Sequence, residues 1–117
     1  RLTKKPKNFH SYAFCSDTIF LPELAKKLKN VDVLYHETTF ANGLEERAIE
    51  TGHSTTAQAA KIANLSHVKL LITGHYSRRY IDLNILLDET KDVFTNSILS
   101  YSGMSIDFNT IYPRNNI

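Results

Sequence analysis

Asp17, His36, Glu37 and His75 each close an apolar run of strand length, and His53 stands two residues ahead of a marked helix start. Carboxylates and imidazoles are the ligands a borderline divalent ion such as zinc takes, and the same groups serve as general acids and bases. In α/β folds ligands bind in the crevice beyond the carboxyl ends of the strands, so residues that terminate strands carry unusual weight. Each has a plain structural reading as well. Asp17 suits an Asp/Thr turn, His36 a satisfied core histidine, Glu37 a carboxylate paired with an arginine, and His75 a loop position after Gly74. Independent accidents explain their convergence on one edge less well. His53 is either a neutral residue of the capping region or a group beside free N–H donors that meet a phosphate. Arg78 and Arg79 offer bidentate phosphate contacts, or are simply solvated.

The elements that must position these residues follow from periodicity and punctuation. Residues 1–9, basic with a central Pro6, read as a connecting arm, and residues 10–15 (HSYAFC) as the first strand. Leu21, Leu24, Ala25 and Leu28 recur at helical spacing, with Pro22 in the first turn and Lys26, Lys27 and Lys29 near the end that favours cations. VDVLYH is a second strand, the acidic stretch 43–50 is compatible with a short helix, and Thr55 to Gln58 match a capping box ahead of Ala59, Ala60, Ile62 and Ala63. A third strand spans 68–74 and a helix runs from about Ile81 to Val93, with Arg78 and Arg79 at its start. Ile98–Tyr101 and the alternating Met104, Ile106 and Phe108 suggest two terminal strands, before a tail at 109–117. Strand and helix alternate, so the fold class is α/β, a core at 10–108 with inner strands covered on both faces.

At 117 residues the chain fits one domain, and its 42% hydrophobic and 22% charged residues are those of a globular protein, not a disordered one. A net charge of +2 and a pI near 8.7 are compatible with an anionic partner without demanding one. The lysine groups Lys4-Lys5-Lys7 and Lys26-Lys27-Lys29 are a weak nucleic-acid signal. A single cysteine, Cys15, excludes an internal disulfide and a CxxC zinc site, which leaves His and carboxylates to hold any metal. No apolar run nears the roughly 18 residues of a membrane span and no signal peptide opens the chain, so a cytoplasmic protein is expected. The first residue is Arg1 and the only methionine is Met104, which predicts a further segment upstream. Phosphate-binding glycine loops, a serine nucleophile elbow and zinc-finger spacings are all missing from the sequence.

Taken in order, Tyr12-Ala-Phe-Cys-Ser-Asp-Thr18, His36-Glu-Thr-Thr-Phe40, Gly52-His-Ser-Thr-Thr-Ala-Gln58 and Thr73-Gly-His-Tyr-Ser-Arg-Arg-Tyr80 resemble four consecutive motifs of ribonuclease Z, over roughly residues 9–108. The resemblance implies the C-terminal half of a metallo-β-lactamase-type αββα sandwich with a two-zinc site along one edge. It implies that Asp17 bridges the two metals and His75 is the final histidine ligand. His36, Glu37 and His53, on the HEAT and His-Ser-Thr motifs, would be catalytic, handling protons around the scissile phosphate, and Ser77 and Arg79 of the HxSxRY pattern would contact substrate. Thr38, Tyr76 and Arg78 depart from the commoner residues of these motifs.

The family's HxHxDH signature, which supplies most ligands for both metals, does not occur in the sequence. Asp17 and His75 therefore form an incomplete site, and a missing N-terminal half carrying HxHxDH is an expected partner. The intact protein would be a homodimer that removes 3′ trailers from precursor tRNA by phosphodiester hydrolysis, with this chain alone inactive. A non-catalytic module that packs on a partner or binds RNA weakly is the rival reading, and a phosphodiesterase for small substrates is another. A half-sandwich would also expose an apolar sheet face, which predicts self-association.

Overall fold

β-Branched, aromatic and leucine-rich runs form four strands, and the structure, a computed structural model, describes residues 10–101 and 104. In chain order the elements are β1 (Tyr12–Cys15), α1 (Leu24–Lys27), β2 (Val33–Glu37), α2 (Glu45–Thr51), α3 (Thr56–Ser66), β3 (Leu70–Gly74), α4 (Leu83–Val93) and β4 (Ser97–Leu99). The strands form one sheet in the order β1-β2-β3-β4, every pair parallel. Parallel neighbours need crossovers, and right-handed crossovers in sequential order put every helix on the same face. Accordingly α3 lies between α1 and α4 and against β2 and β3.

Two apolar layers result. Leu34, Ala60, Ile62, Ala63, Val68 and Leu71 fill the space between sheet and helices, joined by Ala13, Cys15, Phe20 and Phe94. On the other face Val33, Leu70 and Ile72 cluster with Tyr35, Ile98 and Met104. The inner strands β2 and β3 are buried on both faces, as expected of central parallel strands. The edge strand β1 instead leaves Tyr12 54% and Phe14 61% exposed.

The ends of the elements are set by short polar contacts. Asp32 accepts from the Ser11 amide and hydroxyl at 2.7 and 3.2 Å, which aligns the starts of β1 and β2. The capping box forms: Thr55 Oγ1 accepts from the Gln58 amide at 3.3 Å while Gln58 Oε1 accepts from the Thr55 amide at 2.9 Å. The last long helix begins later than its apolar spacing suggests, at Leu83, because Asp82 Oδ1 accepts from the Asn84 amide and caps it there. Arg78 and Arg79 thus sit in a turn ahead of the helix, not in its first turn. Of the second terminal strand only Met104 is described; the arm 1–9, the tail 109–117, Ile106 and Phe108 lie outside the described residues. Among the described residues no helix is long and apolar enough to cross a membrane.

Candidate metal centre

Register explains why distant residues meet. Cys15 pairs with His36, and His36 with Thr73, so Asp17 and His75 each stand two residues beyond the same rung, either side of the end of β2. Both take left-handed backbone, φ 51° at Asp17 and 59° at His75, which ends each strand and turns the chain at the sheet edge. Their side chains close the gap left by the strand between them: His75 Nε2 is 3.4 Å from Asp17 Oδ1.

His53 arrives from the helical layer. Gly52, with φ 79°, ends α2 in a conformation that favours glycine, and the His53 amide donates back to the Ala48 carbonyl at 2.7 Å. A single parallel bridge between Phe40 and Thr55, with the Phe40 amide donating to the Ser54 carbonyl and the Thr56 amide to the Phe40 carbonyl, holds this junction against the end of β2. His53 is thereby placed with Nδ1 2.6 Å from Glu37 Oε1, and its ring stacks on that of His75 at 5.0 Å.

Glu37 is fully buried and lies at the middle of this arrangement. Its Oε1 accepts from the Thr18 amide at 2.9 Å and from His53; its Oε2 accepts from the Thr39 hydroxyl at 2.6 Å, the Ser54 amide at 3.1 Å and the Thr39 amide at 3.3 Å. A carboxylate has about four lone-pair positions, so these five donors leave no room for a metal bond. Asp17, Glu37, His53 and His75 each offer a ligand atom within 4.8 Å of the others. The hydrogen-bond count thus sets Glu37 apart from the other three, and of these Asp17 and His75 present facing donor atoms while His53 is tied to Glu37 through Nδ1.

The geometry of that pair fits a metal. Two donor atoms each about 2.1 Å from a tetrahedral ion stand roughly 3.4 Å apart. The donor set, one imidazole nitrogen and one carboxylate oxygen, suits zinc or a similar ion. The Asp17 and His75 side chains are 66% and 47% exposed, so the pair faces an open side on which further ligands fit.

The remaining expected residues are distributed differently. His36 is not brought to the cluster: adjacent strand residues point to opposite faces, and His36 lies fully buried with Nδ1 2.9 Å from the Glu37 carbonyl. Its Nε2 has no partner, and burial lowers its pKa, against the opposing pull of the Glu37 carbonyl and charge. Arg79 lies over the Phe40 ring at 5.3 Å, and Phe40 in turn meets His53 edge-on at 6.3 Å between centroids, so the guanidinium borders the site. Ser77 ties the loop together, its amide donating to the Thr39 carbonyl at 3.0 Å and its Oγ accepting from the Arg79 amide at 3.3 Å. The first turn of α3 has no free amide for a phosphate, so of the two sequence readings of His53 the one that relied on free N–H donors is not met. The Thr56, Ala57 and Gln58 amides are taken by the Phe40 carbonyl, Asn42 Oδ1 and Thr55 Oγ1. Thr39 escaped the sequence reading, although its position two residues after Glu37, just past the end of β2, was the available signal.

The chain is similar in sequence and in fold to known proteins. Ribonuclease Z of Bacteroides thetaiotaomicron is 45% identical over 109 residues, 93% of this chain and 34% of that protein. Ribonuclease Z of Bacteroides fragilis is 50% identical over 106 residues, 91% of this chain and 35% of that protein. The resemblance to ribonuclease Z holds across nine-tenths of the chain. A long-form RNase Z from yeast superposes with a TM-score of 0.65 at 29% identity, covering 82% of this chain and 13% of that one. The metallo-β-lactamase fold protein YhfI from Bacillus subtilis superposes with a TM-score of 0.76 at 21% identity, over 85% of this chain and 40% of that one, a likeness of fold alone. The fold is thus α/β with a parallel sheet of the metallo-β-lactamase type. The chain spans about a third of the length of the curated ribonuclease Z relatives it matches. No protein-family model matches the sequence.

Proposed function

We propose that this chain is part of a metal-dependent ribonuclease Z that removes 3′ trailers from precursor tRNA in the cytoplasm. The observation that carries the reading is the facing pair His75 Nε2 and Asp17 Oδ1 at 3.4 Å, with His53 held beside it by Glu37. Asp17 and His75 would hold zinc together with ligands of an HxHxDH motif outside this chain, with Asp17 shared between the two ions that the family resemblance implies. When bound, such ions polarise a phosphodiester and lower the pKa of water. With its Nδ1 proton donated to Glu37, His53 has Nε2 free to take a proton from the attacking water and, as the doubly protonated ring, to pass it to the ribose 3′ oxygen while the water oxygen bonds to phosphorus and the phosphorus–3′-oxygen bond breaks. The products would be a tRNA 3′-hydroxyl and a trailer with a 5′-phosphate. Glu37 orients the ring and balances its charge while a proton is held. Arg79, stacked on Phe40, is placed for a phosphate of the substrate, and Ser77 shapes the loop that presents it. His36 supports the end of β2 from the core side. In the intact protein a homodimer is proposed, as the family resemblance implies.

The test compares the 117-residue chain, the full-length protein and its His75→Ala and Asp17→Asn variants for zinc content and precursor tRNA cleavage. The full-length protein is expected to bind zinc and release trailers, the variants to lose at least 100-fold in cleavage, as order-of-magnitude losses for a metal ligand, and the chain alone to do neither. Full activity after complete zinc removal would overturn the metal assignment. Turnover of bis-aryl phosphates without cleavage of precursor tRNA would replace the substrate with a small phosphodiester.

A further inference from the structure

Thr39 is buried at 6% exposure, and its hydroxyl touches two groups of the site at once: Glu37 Oε2 at 2.6 Å and His75 Nδ1 at 2.9 Å. A hydroxyl has one hydrogen to give. Glu37 is fully buried, and three backbone amides, which cannot reverse their role, donate to its two oxygens; they favour the ionised carboxylate, whose oxygens only accept, so the Thr39 hydrogen goes to Oε2. The Thr39 oxygen must then accept from His75, which places the His75 ring proton on Nδ1 and the lone pair on Nε2. That lone pair is the atom facing Asp17.

We propose that Thr39 is a positioning residue that extends the Glu37 carboxylate to His75, so that one buried acid fixes the tautomer of both imidazoles. Glu37 sets His53 directly and His75 through Thr39. Resting on the assignment of His75 as a metal ligand, the proposal explains why Nε2 and not Nδ1 is offered. It also gives Thr39, two residues past the end of β2, a function beyond packing: a second hydrogen bond on a ligating imidazole fixes its orientation and raises its basicity, and loss of such a partner typically weakens metal binding about 10- to 100-fold.

The full-length protein decides it, prepared metal-free with 15N-labelled histidine and examined at about pH 8, above the ordinary imidazole value. Long-range proton–nitrogen correlation should show His75 protonated on Nδ1 in the wild type. A proton on Nε2 instead would overturn the proposal without any variant. Thr39→Val keeps the shape and removes the hydroxyl; it should mix or invert the His75 tautomer, and chelator competition should show zinc held about 10- to 100-fold less tightly. Thr39→Ser restores a hydroxyl and should recover both. An unchanged tautomer and affinity in Thr39→Val would sink the relay, as would a Thr39→Ser variant as defective as Thr39→Val, since packing would then be the cause. A wild-type protein that binds no zinc yet shows the Thr39-dependent tautomer would overturn the metal assignment and leave the relay standing.

Discussion

Asp17 and His75 occupy left-handed backbone, where a β-carbon meets the following carbonyl at a cost of about 1–2 kcal/mol. Aspartate and histidine tolerate this region better than most residues, but glycine is at home there. Two side chains that carry the proposed chemistry therefore stand where the backbone alone would choose glycine. Asp17→Gly and His75→Gly are expected to abolish metal binding, yet to be more stable in urea than Asp17→Ala and His75→Ala by about 0.5–1 kcal/mol, after the greater unfolded-state freedom of glycine is subtracted. Equal stability of the glycine and alanine variants would show that neither position is strained. Asp17, Glu37, His53 and His75 were legible in the sequence because carboxylates and imidazoles at strand ends attract notice by type. His36 was misplaced by the same habit: it neighbours Glu37 in a strand, and alternation alone forbids both from facing one site. Thr39 was missed for the opposite reason. A threonine states no chemistry by type, and only its two partners reveal what it does.

Among the elements, the junction of α2 and α3 governs the approach of His53. Gly52 has φ 79°, and a β-carbon there would find nothing within 4 Å, so the cost of Gly52→Ala is one of backbone conformation and not of collision. That cost is about 1–2 kcal/mol. Relief of the strain by local unwinding would shift His53 away from Glu37 while leaving Asp17 and His75, which belong to β-strand ends, in place. Gly52→Ala in the full-length protein should therefore lower the cleavage rate with zinc affinity unchanged, measured by single-turnover cleavage and chelator competition. A parallel loss of zinc would mean that His53 is a ligand after all. Element ends were readable where a side chain writes them, as at the Thr55–Gln58 capping box. They were less readable where the apolar face alone was the guide: α4 was expected from about Ile81, and the Asp82 cap starts it at Leu83.

At the scale of the whole molecule, the four-stranded sheet has helices on one face and aromatic residues at the edge of the other. Phe14 stacks on Tyr35 at 4.4 Å between ring centroids, and Tyr12 extends the same row, with Tyr12 and Phe14 more than half exposed at 54% and 61%. A layered α/β domain buries such a row against another layer, and contiguous exposed apolar surface on a soluble protein marks a contact face. The layer proposed here is the remainder of the sandwich that would also bring the HxHxDH ligands, so one packing event would cover the aromatic row and complete the metal site. Charge patterning and strand periodicity could not disclose that face, because Tyr12 and Phe14 alternate with Ala13 and Cys15 as in any two-sided strand. The 117-residue chain by itself should thus associate as its concentration rises, and Tyr12→Ser with Phe14→Ser should return it toward monomer, read by light scattering and sedimentation. In the full-length protein the same pair should lower stability by about 2–4 kcal/mol, since both rings would be buried there. A chain that stays monomeric at high concentration, with a full-length protein indifferent to the double substitution, would place the missing layer elsewhere.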